Sequence, residues 1–126
     1  MMRTQSLSRA YQTAVSNGRH EIVADAPTDK GGGGTGCGAH ELLEASLAVC
    51  VNMAVRMCAA EQSIPLEHMS TEVRLQRPDP DRVVFEFSLA LSGPLSIEQR
   101  LALEKAAHTC PVRQTLSQRL EFKAVK

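Results

Sequence analysis

The sequence predicts an α+β fold built on largely antiparallel sheet. Strand-like runs come in hairpins rather than in strand-helix-strand crossovers, residues 40–62 repeat apolar side chains at helical spacing, and a second helical pattern follows Ser96. The expected order of elements is β-β-α-β-β-α-α-β.

Each element has a local reason. Residues 7–16 alternate loosely and end at Asn17-Gly18, a dipeptide suited to a two-residue hairpin turn, and residues 20–25 form the returning strand. Asp29-Lys-Gly-Gly-Gly-Gly-Thr-Gly-Cys-Gly38 has no hydrophobic period, which predicts a flexible loop beside the next helix. Between Leu42 and Ala60 almost every residue is small or apolar, so the first helix is expected to be buried on most sides. Leu42, Ser46, Val49, Met53 and Ala60 are expected in its packed surface, with Ala45, Ala48, Ala54 and Ala59 admitting another backbone. A small domain supplies partners for such a helix most easily by dimerising. Pro65 ends this stretch. Met69, Thr71, Val73 and Leu75 share one face of a strand, and residues 83–91 return after Pro78-Asp-Pro-Asp81 as the second half of a hairpin. Ser96 is the N-cap of a helix carrying Ile97, Leu101 and Ala107. Pro111 suits the first turn of a short helix through about Leu116, and residues 120–125 alternate as a last strand.

The bulk composition narrows the function. A chain of 126 residues, 43% hydrophobic, is expected to form one domain spanning 1–126. Fourteen basic and fourteen acidic residues leave no formal net charge, so no global field draws nucleic acid or an anionic membrane. Three Phe, one Tyr and no Trp offer little for stacking on bases. The expected partner is therefore a small or apolar molecule or another protein, with no nucleic acid and no membrane. Residues 1–10 lack an apolar run and the longest apolar stretch is interrupted by Asn52, Arg56 and Glu61, which predicts a cytoplasmic protein. In that compartment thiol pools keep structural disulfides rare, so the four cysteines are expected to stay reduced or to cycle.

Two of those cysteines have particular surroundings. Cys50 lies within the first helix and Cys110 directly precedes Pro111, so a thiol on a helix and a thiol at the head of another could meet as attacking and resolving sulfurs. A helix N-terminus, with its free amides, lowers a thiol pKa, and that is the expectation for Cys110.

Four blocks in order carry a family resemblance: Lys30-Gly-Gly-Gly-Gly-Thr-Gly36, Glu41-Leu-Leu-x-Ala-x-Leu-Ala-x-Cys50, Val55-Arg-Met57 ahead of Ser63-Ile-Pro-Leu66, and Cys110-Pro-Val-x-x-Thr-Leu-Ser117. From Asn17 onward the chain resembles the OsmC/Ohr family of hydroperoxide-reducing proteins, its shorter OsmC-like branch in particular. The resemblance implies an OsmC-like fold, antiparallel sheets around a long buried central helix, with two chains intertwined as a homodimer. It also implies a cysteine-based peroxidase of the oxidative stress response, needing no metal, flavin or other cofactor. Its substrate would be a small organic hydroperoxide or hydrogen peroxide, and its reductant a lipoyl or thioredoxin-like dithiol. The attacking cysteine corresponds to Cys50 and the resolving one to Cys110.

Family members hold the thiolate with an arginine from the N-terminal region and a glutamate near the start of the central helix. Arg19 is the first choice for the arginine, with Arg9 and Arg56 as the alternatives, and Glu41 is the glutamate. The full peroxidases place that glutamate ten residues before the cysteine, where this chain has His40. Nine residues are two and a half turns, which puts Glu41 about 13 Å along the axis from Cys50 and on the opposite side. Its expected part is to orient a neighbour or cap amides. Arg56 reads equally as an ion-pair partner of Glu61 or of a second chain. A non-peroxidatic scaffold, binding or redox-sensing member is the rival reading, favoured by His40 and by Cys37, which stands where relatives read Gly-Pro.

The remaining motifs have plain explanations. Cys58 sits about 80° around the helix from Cys50 and two turns away, too far for a disulfide, and reads as packing. Cys37 and the four histidines lack the paired spacing of a metal site, so no metal is expected. The glycine run has no Gly-Lys-Ser/Thr ending, which argues against phosphate binding. Ser46 has no recognisable His and Asp partners for a hydrolase triad.

Overall fold

Backbone hydrogen bonds in the amino-terminal segment are satisfied by a small antiparallel sheet, and those of the remainder by one long hairpin and three helices. The computed structural model describes residues 1–126, which divide into two units, Met1–Leu43 and Glu44–Lys126.

In the first unit β1 (Arg3–Ser6), β2 (Thr13–Ser16) and β3 (Glu21–Ala24) pair antiparallel in the order β1-β2-β3. The sequence pattern missed β1 and ran the next strand too early. Residues 7–12 instead form a turn, closed by the Leu7 N–H on the Gln12 carbonyl at 2.9 Å. The hairpin at Asn17-Gly18 is as expected: the Asn17 side-chain oxygen accepts from the amides of Arg19 and His20 at 2.9 and 2.8 Å, and Gly18 takes φ 92°.

The glycine segment is pinned rather than flexible. Asp25, only 6% exposed, accepts from the amides of Ala26, Gly33 and Thr35 at 2.8, 3.2 and 3.2 Å and from the Thr35 hydroxyl at 2.7 Å. Two glycines are required by close approach. A Cβ on Gly32 would stand 1.9 Å from the Ala26 carbonyl oxygen, and one on Gly36 2.0 Å from that of Val23. The chain then enters α1 (Ala39–Glu61), which continues into the second unit.

In the second unit β4 (His68–Asp79) and β5 (Arg82–Ser92) form a two-stranded antiparallel sheet. Its register runs from His68 opposite Ser92 to Gln76 opposite Val84, then shifts before Asp79 opposite Arg82. Pro78 lies in that shift and has no amide to give the ladder. Met69 of β4 is buried, and Val73, Phe85, Phe87, Leu89 and Leu91 pack against the same core. Against this face lie Leu47, Val51, Val55 and Ala59 of α1 and Leu103 and Ala107 of α2 (Ile97–Ala107). The buried stripe of α1 therefore differs from the expected one. Val49 and Met53 are 51% and 56% exposed, because a helix apolar on nearly every side leaves the choice of inward face to its partners.

The caps of α2 were legible. The Ser96 hydroxyl accepts from the Gln99 amide at 3.1 Å and the Gln99 side chain accepts from the Ser96 amide at 3.0 Å, a reciprocal capping box. α3 (Pro111–Leu116) begins at proline as expected. The last strand does not form within the chain. Residues 120–125 have no pairing partner, and Phe122 is 93% exposed.

The Asp25 clamp predicts a specific acid dependence. The Thr35 hydroxyl, and then the amides, hold the Asp25 carboxyl below its ordinary value of 3.8 in the folded chain, against an opposing contribution from burial. A lowered folded value means that the stabilisation is complete above 3.8 and is lost as pH falls through the folded value. Asp25→Asn should therefore lower the melting temperature at neutral pH, and its difference from the parent should shrink only in strong acid. Paired thermal melts across that range check this; a difference that is already gone near neutrality contradicts the clamp.

Candidate active site

Cys50 and Cys110 are brought together by packing. Leu47 and Val51 anchor α1 in the core, and Cys50, between them in sequence, packs partly exposed against that core. Cys110 is wholly buried. It is the N-cap of α3, with extended φ −68° and ψ 142°, and Pro111 fills the first helical position, where no amide is needed. The first free amide of α3 is that of Val112, and it donates to the Cys50 sulfur at 3.4 Å. Both cysteines are free thiols.

The Cys110 thiol is pushed above its ordinary value of 9.0, chiefly by burial. The Arg113 amide draws it down, a hydrogen bond to Cys50 and negative charge there push it up, and the Val112 amide draws it down. The sequence predicted the opposite direction. The amides of the helix start are present, but desolvation of a fully buried sulfur outweighs them. Cys110 thus keeps its proton.

The corner before Cys110 is tied on both sides. The His108 amide donates to the Lys105 carbonyl at 3.1 Å and the Thr109 hydroxyl to the Ala106 carbonyl at 3.0 Å. From α3, the Arg113 guanidinium donates to the His108 carbonyl and the Gln114 amide group to that of Thr109, the latter at 3.4 Å. The His108 ring stands edge-on to Phe87, with centroids 5.3 Å apart. Arg113 was not singled out from the sequence, because it falls at an unspecified position of the Cys110 block.

The other expected residues have separate surroundings. Arg19 lies at the hairpin tip of the first unit, its amide on the Asn17 side chain and its guanidinium without an ion pair. Glu41, in the first turn of α1, accepts from the Gly38 amide at 3.1 Å, the capping part expected of it. The two form no ion pair with each other. Arg56 pairs neither with Glu61 nor with any carboxylate. Its guanidinium donates to the carbonyls of Leu66 and Glu67 at 3.1 and 3.4 Å, bracing the chain after α1. Cys58 points to the Ala102 carbonyl at 3.9 Å and accepts from the Gln62 side chain at 3.5 Å, a packing position between α1 and α2. Cys37 is exposed, its carbonyl accepting from the Asp25 amide at 3.1 Å.

Residues 31–124 match the family model for OsmC-like protein. No curated protein sequence matches the chain. Several solved structures resemble it. One, from Psychrobacter arcticus, is described as an osmotic stress induced and detoxification response protein. It is 24% identical with a TM-score of 0.77, over 90% of this chain and 85% of its own. The OsmC-like protein of Mycoplasma pneumoniae is 18% identical with a TM-score of 0.70, over 83% and 78%. The organic hydroperoxide resistance protein OhrB of Bacillus subtilis is 22% identical with a TM-score of 0.63, over 93% and 90%. These likenesses establish the mixed helix and antiparallel-sheet fold. In that fold α1, long and apolar enough to cross a membrane by length and composition, serves as a core helix.

The thiol environments predict an order of alkylation in the native protein. Cys37 should react with iodoacetamide first, Cys50 more slowly, and Cys110 hardly at all until pH rises past 9.0 or the chain unfolds. Peptide mass mapping after timed quenching checks it. Early labelling of Cys110 near neutral pH would contradict the burial argument.

Proposed function

The chain belongs to the OsmC-like protein family, and from that premise we propose that it is a thiol peroxidase in which Cys50 reduces a small hydroperoxide and Cys110 resolves the product. The observation that carries this reading is that the Val112 amide, in the first turn of the helix that Cys110 caps, donates to the Cys50 sulfur at 3.4 Å while Cys110 lies buried in the core that Cys50 packs against. Burial pushes the Cys110 thiol up, so the buried sulfur keeps its proton.

The steps balance. The Cys50 thiolate attacks the terminal peroxide oxygen, the O–O bond breaks, the OH group passes to sulfur as Cys50 sulfenic acid, and the departing alkoxide takes a proton from water to leave as the alcohol. The Cys110 sulfur then attacks the Cys50 sulfur, the S–O bond breaks, and hydroxide departs as water with the Cys110 proton. An external dithiol reduces the resulting disulfide by exchange and is itself oxidised, restoring two thiols. Arg19 and Glu41 assist in this reading, Arg19 as the cation that meets the developing charge and Glu41 by ordering the start of α1.

The protein works in this reading as a single functional domain and a cytoplasmic homodimer. A second chain accounts for the exposed Val49, Met53 and Met57 on α1, for the buried Thr71 hydroxyl that has no partner, and for the alternating segment 120–125. An exposed face of this kind is characteristic of association surfaces.

A second reading is favoured by one observation: the Arg19 guanidinium is unpaired and the Glu41 carboxylate is engaged by Gly38. A protein whose activating pair is not assembled would sense or bind rather than turn over rapidly. Stopped-flow reaction of the reduced protein with cumene hydroperoxide separates the two. The peroxidase should lose free thiol stoichiometrically and yield a Cys50–Cys110 disulfide. Cys50→Ser should abolish the reaction, and Cys110→Ser should stop it at the sulfenic acid. Oxidation that persists in Cys50→Ser, or the absence of the disulfide after one equivalent of peroxide, would overturn the assignment.

A further inference from the structure

We propose that Arg113 is a positioning residue for the resolving sulfur: its guanidinium, bound to the His108 carbonyl, holds the corner before Cys110 so that Cys110 stays against Cys50. The proposal rests on the thiol-pair reading above and concerns only its second step, disulfide closure.

Cys110 caps a helix of six residues, and a helix that short cannot set the conformation of its own start. The corner needs other supports, and two side chains of α3 reach back to provide them. Of these, the Arg113 bond has a charged donor, whereas the Gln114 bond to Thr109 is neutral and long at 3.4 Å. The Arg113 side chain reaches from within α3 back across Cys110 to the residue two before it. Cys110 is thus spanned by a bond that ties α3 to the end of α2. The carbonyl that Arg113 holds belongs to His108, whose ring rests edge-on against Phe87, so the corner is referred to the sheet.

The guanidinium is committed to a carbonyl and makes no bond to either sulfur. That separates positioning from direct stabilisation of a thiolate. Arg113 is also one of the two unspecified positions in Cys110-Pro-Val-x-x-Thr-Leu-Ser117, so the role comes from this chain's own contacts and not from the motif. In closure the Cys110 sulfur must approach the Cys50 sulfur opposite the breaking S–O bond, and the rate follows how often it is so aligned. A corner free to wander lowers that frequency and leaves the sulfenic acid exposed to a second peroxide, which converts it to sulfinic acid.

The test uses Arg113→Met, which keeps the stem and removes the donors, and Arg113→Lys, which keeps a charged donor. Closure of the Cys50–Cys110 disulfide is measured in glutathione redox buffers, which needs no hydroperoxide. First-step oxidation of Cys50 by cumene hydroperoxide and the sulfinic fraction are measured separately. Arg113→Met should lower the closure constant roughly tenfold, about 30 mV for a two-electron couple, leave the first step unchanged and raise the sulfinic fraction. Arg113→Lys should recover most of the closure constant. An unchanged closure constant in Arg113→Met overturns the proposal, and so does an equal fall in the first step, which would place the guanidinium in service of Cys50. Should the parent protein close its disulfide in glutathione yet ignore hydroperoxide, the peroxidase reading falls while the closure constant still decides the part played by Arg113.

Discussion

The seating of Leu47, Val51, Val55 and Ala59 against Met69, Leu103, Ala107 and Cys110 is the constraint on which the thiol pair depends. α1 is so evenly apolar that its sequence alone permits several rotations about its axis. Once this stripe faces the core, Cys50 is set beside it, partly exposed, next to the place where Cys110 completes the same core. A change of one residue in the inward face turns the helix by about 100° and would either bury Cys50 or aim it away from the α2–α3 corner. Burial of each large side chain contributes about 1.5–3 kcal/mol, so the geometry of the two sulfurs is held by packing rather than by their own weak hydrogen bonds.

Two influences compete at Cys110, and their outcome divides the labour between the sulfurs. The start of α3 offers amides that favour a thiolate, while the apolar surroundings disfavour any charge. Because burial prevails, Cys110 keeps its proton. The partly exposed sulfur is then the one with both access to solvent and a directed amide donor. The same arrangement suits attack at Cys50 first and closure by Cys110 second, since only a partner already alongside can reach a wholly buried sulfur.

Elements with a local chemical cause were legible in the sequence. Asn17-Gly18 turns because its side chain and glycine satisfy the turn by themselves, Ser96 and Gln99 cap each other, and Pro111 starts a helix where its missing amide does no harm. The thiol pair was legible through its motif blocks. Features set by tertiary contact were not. The inward face of α1 depends on which neighbours arrive, and the alternation at 120–125 is real but finds no strand to pair with in its own chain. Asp25 looked like an ordinary strand-end residue. Only the folded loop shows that its carboxylate collects four donors and makes a glycine-rich segment rigid. Arg113 was equally hidden, because its partner is a backbone carbonyl five residues earlier and no sequence pattern marks such a bond.

The character of the donors at Cys50 bears on how fast its chemistry can run. Within the second unit the hydrogen-bond donor directed at this sulfur is a backbone amide, which is neutral. Neutral donors stabilise an anion by roughly half as much as charged ones do. Neutral donors can favour one of two neighbouring sulfurs, since such a choice depends only on a difference between them. They do less for the absolute thiolate population, which governs attack on peroxide. Selection of the nucleophile and its activation are therefore separable properties here. In the proposed peroxidase reading the first comes from the contact of α1 with the α2–α3 corner, and the second is left to a charged group.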